Sequence, residues 1–396
     1  MSTIKTALVI GGGIAGPVAA MALRKAGVEA AVYEAYPRTA DSVGGGLGLA
    51  PNGVNALDLV GAREAVLDIA IPATRQVMTM VGKEVMEFGT LPGLPPLQLV
   101  RRGDLYRVLL DRAAELGVPV HHGKRLVGAD EDPSGVTARF ADGTSVAADM
   151  LVGADGVHSA VRRLIDPNAP GPDYTGLLVF EAIADHQVPV EPGTVTFAFG
   201  KRAYCIYWPL PDGRTTWGMS LPREAPLPLA KIRDIPAADW LGVFRELLAN
   251  DHPGHELAEH TSPDNILPIG PMYIMPGVPR WYSDRMVLVG DAVHAPSNSS
   301  GQGASLAIES GIQLARCVRD LPDAPTAFAA YESLRRDRVE KIATRAAAVN
   351  RAKAPGPVGR TLMPMIMSLM KPLMNPERMF GPVQRYTIDW SEHVAE

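Results

Sequence analysis

The chain has 396 residues, 46% hydrophobic and 20% charged, with a formal net charge of −5. That length holds two or three domains with cores of their own, and the mildly acidic balance excludes a large non-specific nucleic-acid surface, which needs a basic stripe. The 39 glycines and 35 prolines lack a period, which excludes collagen, and the apolar content excludes disorder.

Two cysteines, Cys205 and Cys317, cannot make a disulfide framework and point to a reducing, cytoplasmic setting. No CxxC or HExxH spacing suggests a metal, and His121-His122 read as solvated polar residues. The uncharged run Thr6–Leu23 follows Lys5 as a signal peptide or membrane span would. It contains Gly11-Gly12-Gly13, Gly16 and Pro17, however, and continues into Arg24-Lys25, which is poor spanning material. Thr361–Met370 is too short to span, so no integral membrane segment is expected.

In chain order, Ile4–Ile10 reads as a buried strand, Ile14–Ala26 as a helix stopped by Gly27, and Ala30–Tyr33 as a second strand ending at Glu34. Strand, glycine turn, helix and strand make a βαβ unit. Arg102–Leu116 reads as a helix, followed by short strands at Val118–His121, Val136–Phe140 and Ser145–Ala147 and a buried strand at Met150–Val152. Between about Pro167 and Pro276 the pattern becomes aromatic and alternating, at Val195–Phe199, Tyr204–Trp208 and Thr215–Leu221, which predicts an antiparallel sheet. Met286–Val289 returns to the buried-strand style. Ala304–Asp320 and Thr326–Lys353 read as helices, the basic stretch Arg335–Arg351 as a solvated helix face.

Gly11-x-Gly13-x-x-Gly16 sits between a strand and a helix, with Glu34 closing the next strand. Gly11 suits the turn, Gly13 the approach of a pyrophosphate, and Gly16 close helix–strand packing, while Glu34 suits a ribose. The helix N-terminus favours the phosphate charge. This is a dinucleotide site, and alone it leaves NAD and FAD open. Two later segments repeat the logic: Leu151-Val152-Gly153-Ala154-Asp155-Gly156, and Met286–His294 with Gly290-Asp291, followed by Ser300-Gly301-Gln302-Gly303-Ala304-Ser305. Each delivers glycines and a carboxylate to the C-terminal edge of a strand, where ligands of open α/β sheets bind.

These three motifs, in this order and spacing, resemble those of the single-component (class A) flavoprotein aromatic monooxygenases, the para-hydroxybenzoate hydroxylase-like family. The resemblance covers nearly the whole chain. It implies an α/β fold: a Rossmann-like FAD-binding domain (1–70, 98–166 and 277–350), an inserted antiparallel-sheet substrate domain (71–97 and 167–276) and a C-terminal helical tail (351–396). It implies that Gly11, Gly13, Gly16 and Glu34 bind the ADP half of FAD. Asp155 and Gly156 then belong to a segment shared by FAD and the nicotinamide cofactor. Gly290-Asp291 is placed at the ribityl chain, Gly301, Gly303 and Ala304 beside the isoalloxazine, and Arg102 where it reaches the flavin. The implied reaction uses NADPH or NADH and O2 to hydroxylate or epoxidise a substrate through a flavin C4a-hydroperoxide. One glycine fingerprint implies that the nicotinamide visits transiently.

The pattern also departs from the family. Asn298 stands where a proline usually lies against the flavin, with Pro296 the nearest proline. Ser305 replaces a common asparagine, and Ser310 an aspartate that often follows glutamate, here Glu309. By correspondence with the family's substrate-facing strands, Phe197, Trp208 and Thr216 are nominated to meet substrate. Few charges in those strands, beyond Lys201 and Arg202 at a turn, favour a hydrophobic, polycyclic aromatic or long-chain substrate over a small benzoate. The methionines of Leu362–Phe380 suit a core cover, a pocket lining or peripheral membrane contact. A flavin-dependent halogenase is a weaker fit, since no tryptophan starts a WxWxIP motif. A non-catalytic FAD-binding redox sensor is the alternative that Asn298 keeps open.

Overall fold

The computed structural model describes residues 3–37, 44–353 and 375–395. Its nucleotide side is built on five parallel strands in the order Met286–Leu288, Met150–Gly153, Thr6–Ile10, Glu29–Tyr33, Val120–His121. Val9, Val32, Leu151, Val152, Val287 and Leu288 are fully buried, as expected of a parallel sheet covered on both faces. Each such side chain contributes about 1.5–3 kcal/mol by leaving water. Helices Ala15–Lys25 and Gly303–Asp320 pack against each other; a Cβ at Gly311 would stand 2.9 Å from the Ala19 amide nitrogen, so glycine sets their approach. The strands Leu126–Asp132, Gly135–Phe140 and Ser145–Ala148 form an antiparallel meander whose Leu126, Val136, Ala138 and Phe140 join the same core.

The second layer is a seven-stranded sheet in the order Thr261–Ile274, Asp173–Ala184, Thr215–Pro222, Tyr204–Pro209, Thr194–Phe199, Arg75–Met80, Lys83–Gly89. As the sequence predicts, its first five strands pair antiparallel. One further pairing is parallel, Thr194–Phe199 with Arg75–Met80. These strands are far apart in the chain, so no hairpin dictates their direction, and a long connection permits the parallel register.

Alternation gives this sheet two distinct faces. Phe180, Ala182, Cys205, Tyr207, Trp217 and Met219 pack with Trp240, Leu241 and Phe244 of helix Ala237–Leu248 in a closed core. The other face carries Val195, Phe197, Ile206 and Trp208, which meet Ala73, Leu97 and Leu99 of a small sheet, Gly46–Leu49, Leu97–Arg101 and Ile71–Ala73.

A helical tail is expected from 351 to 396. Its described residues hold the end of helix Ala324–Lys353 and the helix Pro376–Gln384, and run without regular structure beyond Gln384. Side-chain anchors replace helix pairing. Gln313 donates to the Tyr386 hydroxyl (2.8 Å), Arg316 to the Glu392 carbonyl (2.8 Å), and Phe380 meets Phe88 edge-on at 4.9 Å. The Met-rich stretch lies outside the described residues up to Met374. No helix among the described residues is long and apolar enough to cross a membrane.

Candidate active site

The first glycine turn is closed by backbone contacts that no side chain would allow. Gly11 has φ +108°, and a Cβ there would lie 3.0 Å from Asp155 Cα. A Cβ at Gly16 would overlap the Gly11 carbonyl oxygen. Gly13 is different: the nearest atom to a Cβ there is Tyr106 Cζ at 4.0 Å, so its backbone borders open space. Glu34 accepts from the amides of Gly12 (2.6 Å) and Tyr36 (2.8 Å), which aims its carboxylate at the turn.

The other two loops are laced to this one. Ala154 N donates to the Ile10 carbonyl at 2.8 Å. The Asp155 carboxylate caps helix Ala160–Ile165, accepting from the Ser159 hydroxyl, Ala160 N (2.7 Å) and Val161 N (3.2 Å). Burial pushes its carboxyl up in spite of those bonds. Buried Arg162, on that helix, donates to the Ala292 carbonyl at 2.8 Å and the Val157 carbonyl at 2.9 Å. It thereby joins the Asp155 loop to the Asp291 loop. Asp291 follows the strand Met286–Leu288 in a one-turn helix and is exposed, beside the point where Gly290 meets helix Ala15–Lys25: a Cβ at Gly290 would stand 2.8 Å from Ala15 Cβ. Desolvation pushes its carboxyl up, and Arg102 pulls it back.

Helix Gly303–Asp320 points its N-terminus into the same region. The amides of Gly303 and Ala304 find no acceptor among the described residues, and a Cβ at Gly301 or Gly303 would meet nothing within 4 Å. Half-buried Pro296 and exposed Asn298 precede it; Asn298 opens a one-turn helix whose carbonyl accepts from Gly301 N at 3.1 Å. Gly156 borders open space too.

Arg102 begins helix Arg102–Glu115; burial pushes up the phenol of Tyr106 one turn on, and Arg102 pulls it back. Tyr106 also feels Asp291 and Glu34, which puts it within electrostatic reach of both loops bordering the cleft. The Arg102 side chain packs on Gly44, and its amide donates to the Gly45 carbonyl at 3.0 Å. The Gly46 amide donates to Glu181, which stands on the seven-stranded sheet. A glycine cradle, unpartnered helix amides and an exposed carboxylate are the donor and acceptor set that a flavin dinucleotide needs.

Behind the cleft lies a buried charge network. Asn52 Nδ2 donates to Gln302 Oε1 (2.9 Å) and Glu309 Oε1 (2.6 Å). Arg335 Nη1 donates to Glu309 Oε2 (2.8 Å), and Arg338 donates to both Glu309 oxygens (2.9 Å each). His294 Nε2 lies 2.9 Å from Ser310 Oγ, to which Arg335 Nε also donates at 3.3 Å. The expectation of a solvated face for Arg335–Arg351 is thus corrected at Arg335, which has no exposed surface. Burial pushes the Glu309 carboxyl up, but the two guanidiniums and Asn52 more than offset this and hold it low. Both loops, 290–294 and 301–304, are therefore tied through Ser310 and Asn52 to one ion pair.

A family model described as an FAD binding domain matches residues 5–226 of the chain. An FAD-dependent urate hydroxylase from Klebsiella pneumoniae is 30% identical over 357 residues, covering 86% of this chain and 88% of the relative. A 3-amino-4-hydroxybenzoate 2-monooxygenase from Streptomyces cremeus is 32% identical over 360 residues, covering 85% of each. This chain belongs to the FAD-dependent aromatic monooxygenases. The crystal structure of Klebsiella pneumoniae HpxO complexed with FAD and uric acid shares its fold, with a TM-score of 0.83 over 97% of each chain at 24% identity.

Within this monooxygenase the residues nominated for substrate, Phe197, Trp208 and Thr216, share one face of the seven-stranded sheet. Phe197 is half-buried; Trp208 and Thr216 are buried, and the Trp208 ring lies against Gly46. Tyr106, Glu181, Arg162 and the Asn52–Glu309–Arg335 network escape sequence reasoning. The one usable signal was Glu181, a carboxylate in an otherwise uncharged strand interior.

Proposed function

We propose that this monooxygenase uses NADPH or NADH and O2 to hydroxylate or epoxidise a hydrophobic, electron-rich small molecule, polycyclic aromatic or long-chain. The observation that carries this reading is the meeting of two surfaces. Arg102, Tyr106 and Asp291 line the cleft on the nucleotide side, and the half-buried apolar face of the seven-stranded sheet adjoins it through Gly44–Gly46. FAD, when bound, supplies the electron transfer and the activation of O2.

The chain's own part is holding and shielding. Gly11, Gly13 and Gly16, with the N-terminus of helix Ala15–Lys25, would receive the pyrophosphate, and the Glu34 carboxylate would accept from ribose hydroxyls. Asp291 would hold the polyol, and the free amides of Gly303 and Ala304 would donate to a ring carbonyl. Phe197, Ile206 and Trp208 keep the substrate side apolar and exclude water from the reacting atoms. The reductant visits transiently, since the chain carries one glycine fingerprint. Buried free Cys205 and Cys317 suit a reducing, cytoplasmic location.

The test is direct. The purified protein should carry a flavin spectrum, and candidate polycyclic phenols should accelerate NADPH or NADH consumption with formation of a product one oxygen heavier. A bound flavin that neither nucleotide reduces, with or without those phenols, would overturn the proposal.

A further inference from the structure

The register of the seven-stranded sheet places five residues side by side on the face toward the small sheet: Leu267, Glu181, Gly218, Ile206 and Phe197. All five are half-buried, whereas Ala182, Trp217, Cys205 and Tyr207 of the opposite face are buried. The row is therefore a partly accessible apolar strip with one ionisable group, Glu181. Gly218 puts no side chain between Glu181 and Ile206. A Cβ there would press to 3.1 Å from Ile206 Cγ2, so the missing atom lets Ile206 lie over this strand beside the carboxylate.

Glu181 is under-satisfied for an ionised group in such a place. One oxygen accepts the Gly46 amide; the carboxylate has no other hydrogen bond and no ion pair among the described residues. A carboxylate accepts about four hydrogen bonds when fully served. Arg101 and Arg102 act on it only from a distance, and burial pushes its carboxyl up despite them. Ile269 flanks the same oxygen at Gly45, and the Trp208 ring meets Gly46 from the other side. An acceptor with unused capacity thus stands between aromatic and aliphatic walls, at the end of the cleft that Arg102 shares.

We propose that Glu181 is the specificity-determining residue of this half-buried strip, selecting aromatic molecules with a hydrogen-bond-donating ring substituent, a hydroxyl, amine or ring N–H, and rejecting aromatic carboxylates. The inference rests on the proposed function, since it assumes that substrate occupies this face. Physically, a donor satisfies the exposed lone pairs of a desolvated carboxylate, whereas a second carboxylate brings like charge into the same low-dielectric space. Sites built to hydrogen-bond a hydroxyl or N–H discriminate far more sharply than apolar walls do.

The competing explanation is that Glu181 merely clamps the Gly46 amide. Glu181→Gln separates the two, because its amide oxygen keeps an acceptor for Gly46 while the charge is gone. The probes are 2-naphthol and 2-naphthoate, nearly matched in shape, titrated into the FAD-loaded enzyme and read by flavin absorbance and tryptophan fluorescence. The wild type should bind 2-naphthol at least about tenfold tighter, and Glu181→Gln should narrow that ratio to about threefold or less without loss of flavin. The wild-type ratio needs no variant and stands if Glu181→Gln fails to fold. Naphthoate binding as tight as naphthol, no binding of either by the wild type, or an unchanged ratio in a folded Glu181→Gln protein would each overturn the proposal. Failure to oxidise NADPH or NADH together with a clear naphthol preference would sink the proposed reaction and leave this inference standing.

Discussion

Arg335 and Glu309 form an ion pair at 2.8 Å in which neither side chain is exposed. Glu309 is shared: Arg338 reaches the same carboxylate at 2.9 Å, and Asn52 bonds it at 2.6 Å. Removing one member of a buried pair leaves an uncompensated charge, typically at a cost of about 3–5 kcal/mol. The sharing sets an order. Arg335→Met leaves Glu309 paired with Arg338, whereas Glu309→Leu leaves two guanidiniums without a carboxylate. Chemical denaturation should therefore find Glu309→Leu the more damaging substitution. The reverse order would show that the arginines are satisfied by other groups.

His294 gives the protein a pH signature. Burial, reinforced by Arg335, holds its imidazole down at about 3, against an ordinary value of 6.5. Below pH 6.5 the unfolded chain takes up a proton here that the folded chain refuses, so stability falls with pH, by up to about 1.4 kcal/mol per unit. Above that pH the contribution is constant. Glu309, held low, loses its own contribution only at pH values below its ordinary 4.5. Urea denaturation from about pH 7 down to about pH 5 should thus show a shallower loss in His294→Asn than in the wild type. Equal slopes would mean that His294 protonates in the folded state.

The dinucleotide turn was legible because its constraints are local. Gly11, Gly16 and Glu34 act within one strand–helix–strand unit, and the residue types report the contacts directly. Arg335 was not legible. A basic run on a helix looks the same whether it faces water or a buried carboxylate, and Glu309 belongs to another helix. Glu181 was missed for a related reason. Its strand is apolar on both faces around it, with Val179 and Ile183 two places away on the same face, and the partner that gives the carboxylate a role, the Gly46 amide, is remote in the chain. The parallel pairing of Arg75–Met80 with Thr194–Phe199 joins remote strands, which no local pattern encodes.

Asp155 separates a role in folding from one in binding. Its carboxylate accepts from Ala160 N and Val161 N and from the Ser159 hydroxyl, so Asp155→Ala removes these bonds from the start of helix Ala160–Ile165 and leaves only the Ser159 hydroxyl accepting from Arg162 N. The expected loss is about 1–2 kcal/mol in unfolding free energy of the flavin-free protein. FAD affinity, measured by quenching of flavin fluorescence, should weaken no more than about threefold. A much larger affinity loss with little change in stability would instead give the carboxylate direct contact with the cofactor.

Two glycines of the cleft should respond in opposite ways to one added methyl. At Gly16 a Cβ overlaps the Gly11 carbonyl oxygen, so Gly16→Ala must shift the turn itself and should destabilise the fold along with any nucleotide site. At Gly303 a Cβ meets nothing within 4 Å, and the residue opens helix Gly303–Asp320, where alanine is the better helix former. Gly303→Ala should therefore fold as well as the wild type, with an unchanged or slightly raised melting temperature for the flavin-free protein. Its effect should fall on the cofactor, because the methyl enters the space from which the Gly303 and Ala304 amides are approached. We expect FAD affinity to weaken by about tenfold or more, equivalent to about 1.4 kcal/mol. Paired thermal melts and flavin titrations check both halves. Wild-type FAD affinity in Gly303→Ala would move the flavin ring away from this helix end.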